Sequence, residues 1–221
     1  MRTLAPRLYT VQTLIPKGVR VADIGTDHGH LPISLIKSGI TDRVIACDLR
    51  VKPLANAREN IQKTKTDGIE LRLGDGLSPI HPDEVDCIVI AGMGGEVIAS
   101  IIDSAKWVKD EKYTLILQPM TSADALRKYL CENGFKIESE TALSDAGKLY
   151  TVIKTSYCKK PCQMSDAYYR IGELKATDGE SKKYIEKQIN IVKKCIEDLK
   201  NTEKKDELAH FERLLKEMEN R

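Results

Sequence analysis

The sequence predicts an α/β fold: a mostly parallel, doubly wound sheet closed by an antiparallel hairpin and followed by a C-terminal helical appendage. Three observations carry this reading. Short Val- and Ile-rich runs alternate with helix-like stretches from about residue 19 to residue 133, as in a chain of βα units. Two strand-like runs then follow with no helix between them. From Lys159 onward the chain is charged, and its apolar residues recur at intervals of three and four, the spacing of a helical seam.

The strand-like runs are residues 19–24, 43–48, 69–73, 85–91 and 113–118, each ending at or beside an Asp, Gly or Gln. The helix-like stretches between them are 31–38, 52–63, 95–105 and 122–133. Such alternation builds a parallel sheet whose ligands bind beyond the carboxyl ends of the strands, where the strand order reverses. The closing hairpin is expected from 135–141 and 149–155, joined through residues 143–148. In the tail, Ile185, Ile189, Val192, Ile196 and Leu199 form one seam and Leu208, Phe211, Leu215 and Met218 a second. The polar turn at 201–206 makes these helices antiparallel neighbours, an expected coiled coil. The expected domains are 1–158 for the sheet and 159–221 for the helices.

With 221 residues, 41% of them hydrophobic, the chain can bury an ordinary core. No apolar run approaches the ~18 residues of a membrane span. The start, Met1-Arg2-Thr3-Leu4-Ala5-Pro6-Arg7, lacks the apolar stretch of a secretion signal, so a cytoplasmic location is expected. The six cysteines show no C-x-x-C spacing, Cys158 and Cys162 match no common zinc knuckle, and the four histidines complete no ligand set. Neither a metal nor a disulfide framework is expected. A net charge of +2 permits nucleic-acid binding without arguing for it, because clustering on one face matters more.

The residues with chemistry sit at strand ends. Val21-Ala22-Asp23-Ile24-Gly25-Thr26-Asp27-His28-Gly29-His30 reads as strand, glycine turn and helix start, which presents backbone N–H groups to a ligand. The glycines are spaced G-x-x-x-G, unlike the G-x-G-x-x-G of a pyrophosphate site, and Asp27 stands between them. A carboxylate there repels a pyrophosphate and suits an ammonium, which favours S-adenosylmethionine over a nicotinamide dinucleotide. Asp23, Gly25, Thr26, Asp27 and His28 are therefore candidate cofactor residues. Asp48, ending the second strand, can accept both ribose hydroxyls. Asp75 and Gly76, within Gly74-Asp75-Gly76-Leu77, can meet the adenine amino group. Ala91, Gly92 and Met93 open the loop after the fourth strand, and Gly94 and Gly95 leave room there for a flat acceptor. Gln118 and Pro119 complete the row as substrate candidates. Taken singly, each is also an ordinary turn or cap residue; the ordered series is what points to a nucleoside cofactor.

The segments D-I-G-T-D-H-G-H-L-P, I-A-G-M-G-G and L-I-L-Q-P resemble the bacterial tRNA (adenine-N1)-methyltransferases of the TrmK family, which modify adenine 22 in the D-arm. The lead-in Arg7-Leu8…Ile15-Pro16-Lys17-Gly18 and the helical tail are also similar to that family, so the likeness spans nearly the whole chain. Met120 departs from it, since a polar residue such as Asn is expected after Gln-Pro in many members. The resemblance implies a Rossmann-like class I methyltransferase sheet, S-adenosylmethionine as cofactor, tRNA as partner, and a monomer with neither metal nor obligate protein partner.

Methyl transfer to a ring nitrogen makes a cationic product that a nearby carboxylate can stabilise. Asp27 is the first catalytic candidate and His28 the second, a structural role fitting His28 equally well. Arg2, Arg7, Lys17 and Arg20 are expected to cluster near the sheet edge, with Arg7 touching substrate. Lys182-Lys183, Lys193-Lys194 and Lys204-Lys205 decorate the tail and offer phosphate contacts, although interspersed Glu residues make a solvated helix face the simpler reading for single lysines. A methyltransferase for another RNA, a protein or a small molecule remains an alternative. So does a non-catalytic cofactor-binding module whose seams serve a partner.

Overall fold

The computed structural model describes residues 4–220, so Arg2 of the expected basic cluster lies outside the described residues. Apolar, largely β-branched sequence makes the central strands. β1 (Val21–Ile24) and β2 (Val44–Asp48) are buried at every position, as parallel strands covered on both faces must be. They join β3 (Ile69–Leu73), β4 (Cys87–Gly94), β5 (Thr114–Thr121), β6 (Phe135–Asp145) and β7 (Lys148–Tyr157) in one sheet. The order is β3-β2-β1-β4-β5-β7-β6. Only the β5–β7 and β6–β7 pairs are antiparallel, and the chain reverses direction across the sheet between β1 and β4.

Helices α1 (Pro6–Leu14), α2 (His30–Lys37), α3 (Val51–Thr64), α4 (Gly95–Ser104) and α5 (Ala123–Glu132) cover this sheet. Leu31 and Leu35 of α2 pack with Val11 of α1 against Val21, Val44 and Cys87 on one face. Ile98 and Ile102 of α4 and Leu126 and Leu130 of α5 pack against Ile88, Ile90 and Leu115 on the other. Each such fully buried Leu or Ile contributes about 1.5–3 kcal/mol. The lead-in expected before β1 is thus a helix, α1. Val11 is its only buried residue, so no apolar periodicity marks it in the sequence.

The hairpin link is shorter than expected: only Ala146 and Gly147 separate β6 from β7, with φ of 48° and 73°. Two left-handed residues give the turn a twist that matches the flanking strands.

The tail comprises α6 (Asp166–Ile171), α7 (Gly179–Leu199) and α8 (Lys205–Glu219). Ile185, Ile189, Val192 and Ile196 meet Leu208, Phe211, Leu215 and Met218, but Ala167 and Ile171 of α6 enter the same cluster. Three helices therefore share the seam. The tail is tied to the sheet by Arg127 of α5, whose side chain and that of Glu140 are both 0% exposed and 2.5 Å apart. Arg127 also donates to the carbonyls of Tyr169 (2.7 Å) and Arg170 (3.0 Å) and to the Tyr184 hydroxyl (3.4 Å). Removing one member of such a buried pair costs about 3–5 kcal/mol, because the other charge is left unmatched. Among the described residues, no helix is long and apolar enough to cross a membrane.

Candidate active site

The reversal between β1 and β4 opens a cleft of about 510 Å³ at the carboxyl edge, where doubly wound sheets bind ligands. Its walls bring together Gly25, Asp27, Asp48, Asp75, Gly76, Ala91, Gly92 and Met93 from four strand ends. Gly25 has φ 77°, a left-handed backbone that favours glycine, and the Met93 Cε reaches over it, 2.2 Å from where a Cβ would stand. Asp27 also adopts a left-handed backbone, φ 52°, which costs a non-glycine residue energy and is a mark of functional turns. Its side chain is 60% exposed at the mouth of the cleft.

Asp48 braces this turn. Its Oδ2 accepts the Asp27 N–H at 3.2 Å and its Oδ1 the Arg50 N–H at 3.0 Å. A carboxylate has about four lone-pair positions, so capacity remains for hydroxyls in the cleft. Asp23 lies beneath the turn, 4% exposed, and is not part of the cleft wall. Burial, with help from the Asp48 charge, pushes its carboxyl from 3.8 up to about 6. The Thr26 hydroxyl beside that carboxyl works the other way, favouring its charged form.

Several expected residues take other roles. His28 does not line the cleft. Its Nε2 lies 3.5 Å from Asp27 Oδ2, its ring stacks on His30, and its carbonyl accepts from Asn60. Gln118 is fully buried, so it cannot touch an acceptor. Its Oε1 accepts the Gly92 N–H at 3.1 Å while its Nε2 donates to the Pro119 carbonyl at 3.0 Å. It clamps β4 to β5 where the ladder shifts register around Gly92, the local re-aiming that bulges produce beside sites. Gly95 is buried, and a Cβ there would lie 2.1 Å from the Ser122 carbonyl oxygen; its smallness serves packing against the β5 loop. Gly94 stays half-buried at the end of β4. Pro119 lines a neighbouring cleft instead.

Among the described residues, Arg7, Lys17 and Arg20 of the expected basic cluster do not come together. Arg7 binds Asp145 at 2.9 Å, at the hairpin tip on the carboxyl edge. Arg20 precedes β1 and binds Asp86 at 2.6 Å, at the amino edge, and Lys17 lies beside Gly18 on that same side. Conversely, the site has walls that the motifs did not name: Leu49, Arg50, Val97, Ser100 and Ile101. Leu49 and Val97 are 63% and 52% exposed. Their signal was available, since each is an apolar residue at a strand end or helix start with no core to enter, an apolar rim that a flat base can cover.

This strand order, with acidic residues ranged along a cleft at the switch point, defines a doubly wound nucleoside-binding protein of the methyltransferase type. The chain belongs to the methyltransferase-domain family, whose model matches residues 4–153. The tRNA (adenine(22)-N(1))-methyltransferase of Bacillus subtilis is 37% identical over 151 residues, covering 68% of this chain and 63% of that protein. The match therefore spans less than two thirds of that relative's length. The crystal structure of the B. subtilis m1A22 tRNA methyltransferase TrmK superposes with a TM-score of 0.86 at 29% identity, covering 99% of each chain. That of a candidate tRNA (m1A22) methyltransferase of Streptococcus pneumoniae, in complex with S-adenosyl-L-methionine, gives 0.83 at 29% identity, covering 98% of this chain and 99% of that one.

Proposed function

We propose that this protein is an S-adenosylmethionine-dependent methyltransferase that methylates N1 of adenine 22 in the D-arm of tRNA. The observation that carries the reading is the placement of Asp27, Asp48 and Asp75 along one cleft that ends at the open Gly92 loop. The acceptor and its position rest on the similarity to the B. subtilis enzyme and on the whole-chain likeness in fold.

The residues suit the cofactor. Asp27 at the mouth, the glycine floor and the apolar rim of Leu49 and Val97 fit an ammonium, a sugar and a base in that order along the edge. Asp27 and the turn hold the ammonium end, Asp48 the ribose hydroxyls and Asp75 the adenine amino group. Bound S-adenosylmethionine supplies a methyl group on a sulfonium that is already electrophilic. The chain's task is then positioning. Gly92, held by Gln118, leaves the approach from β5 open; Asp27 places negative charge beside a ring that becomes cationic, and can draw off a proton from its amino group. Residues 1–158 make the catalytic domain and 159–221 a helical domain that holds tRNA. The protein works as a cytoplasmic monomer, and the target base is drawn out of its folded arm to expose N1.

The test is mass spectrometry of tRNA nucleosides after incubation with enzyme and S-adenosylmethionine. The expected product is 1-methyladenosine, mapped to position 22. Its absence, with the cofactor bound, overturns the acceptor assignment.

A further inference from the structure

A second cleft, of about 200 Å³, lies on the same carboxyl edge. Pro119–Asp124 after β5 form one wall, Leu149–Thr151 of the hairpin another, and Arg170, Tyr184, Lys187 and Gln188 of the tail the third. Thr121 in its wall pairs with Gly94, next to Met93 of the first cleft, so the two are one strand spacing apart, about 5 Å. An acceptor reaching the Gly92 loop from the β5 side passes over this cleft.

Charge decides what the cleft suits. In the tail, Lys182, Lys183, Lys193 and Lys204 of the lysine doublets are each bound to a Glu. Lys187 is exposed and forms no ion pair among the described residues. Arg170 also faces the cleft, 3.7 Å from Asp124, so two cations are set against one anion. From Lys187 and Ile191 a shallow groove continues along α7 to Asn190 and Lys194, with Lys183 and Glu186 also in its wall, and Lys187 and Lys194, seven apart, share one face of the helix.

Resting on the tRNA reading above, we propose that this cleft holds the RNA backbone phosphates beside the target nucleotide. Lys187 and Arg170 make the first contacts and Lys194 continues the path. The tail thus serves the reaction as one wall of the acceptor entrance, and Lys187 and Lys194 matter more than the doublet lysines bound to Glu.

The experiment measures tRNA affinity against salt for the full-length protein, Lys187→Gln, Lys187→Arg and Lys182→Gln, with S-adenosylmethionine binding measured alongside. A lost phosphate contact lowers the slope of log affinity against log salt by about 0.7–0.9. Affinity at low salt falls about two- to fivefold, the scale of one solvent-exposed charge pair. Lys187→Arg restores both, Lys182→Gln changes neither, and cofactor binding is the same throughout. A purely structural role for Lys187 leaves the slope untouched. Wild-type methylation of tRNA together with an unchanged Lys187→Gln slope overturns the phosphate cleft alone. A wild-type protein that forms no 1-methyladenosine in tRNA overturns the reading on which it rests.

Discussion

The two edges of this sheet use the same residue types to opposite ends. At the amino edge, Asp86 accepts from the Arg20 backbone N–H at 3.0 Å and from its guanidinium at 2.9 and 2.6 Å. The arginine holds that carboxyl down at about 2. Away from the cleft, Glu84 ahead of β4 accepts from Arg72 of β3 at 2.7 and 2.8 Å, and its pKa is likewise held at about 2. At the carboxyl edge, Asp27 and Asp75 line the cleft with no Lys or Arg in an ion pair with them among the described residues, and Asp23 is buried against its ordinary preference for charge. The difference teaches that an acid matched by an arginine is part of the frame. Acids without an arginine around a cavity are candidates to hold a ligand.

The largest effect expected from breaking this contrast is at Asp27. Asp27→Asn keeps the shape and removes the charge, so turnover at saturating cofactor and tRNA should fall about 10²-fold while the melting temperature stays close to wild type. An unchanged single-turnover rate would remove Asp27 from the chemical step and leave it a role in holding cofactor. Next is Asp48→Ala, which should weaken S-adenosylmethionine by about 1–3 kcal/mol through lost charge-assisted hydrogen bonds and a loosened turn. Calorimetry with wild-type affinity would show that the ribose is held elsewhere.

Asp23 sharpens the contrast because its effect runs the other way. Its folded pKa, about 6, lies above the value of 3.8 for a free carboxyl. The folded state therefore binds the proton more tightly, and stability falls as pH rises from about 4 to 6. Asp23→Asn should stabilise the unliganded protein by about 2–3 kcal/mol at pH 8, an advantage that fades below pH 6 and is gone near pH 4. Chemical denaturation at pH 8 showing a less stable variant would mean that the charge is already matched within the fold.

The smallest change is expected at the amino edge. Asp86→Asn should cost about 1 kcal/mol or less, since the carboxylate is 41% exposed and water screens the pair, with methylation intact. For Asp86 and Glu84 the folded pKa is the lower one, so their stabilisation is present above about pH 4 and lost as pH falls toward 2. Acid titration of the wild type and Asp86→Asn should converge below that range.

How far the sequence could be read varies with how local each feature is. The turn from Asp23 to Gly29, Asp48 at the end of β2 and Asp75 in its glycine pair were legible because strand, turn and acid lie within a few residues of one another. The βα alternation was legible for the same reason, as periodicity is a property of short windows. Helix α1 was not, because its burial depends on where α2 and the hairpin strands happen to lie. Helix α6 was hidden by its length, six residues, too short to show a period.

Gln118 marks the boundary most clearly. By sequence it is one more polar residue at a strand end, equivalent to the acids at the ends of β1 and β2. In the fold its side chain on β5 is sealed from solvent, where it accepts from the Gly92 N–H of β4 and donates to the Pro119 carbonyl of its own strand. Arg127 and Glu140 are similar, thirteen residues apart in sequence and ordinary surface types in isolation, yet joined at the core of the tail joint. The sequence by itself determined the order of the elements and which strand ends carry acids, because both follow from local patterns of polarity and turn-forming residues. Only the tertiary structure decided which acids meet an arginine, which way Gln118 faces and that Lys187 borders the cleft beside the end of β5. Those outcomes depend on contacts between segments far apart in the chain, and strand order and helix docking set them together.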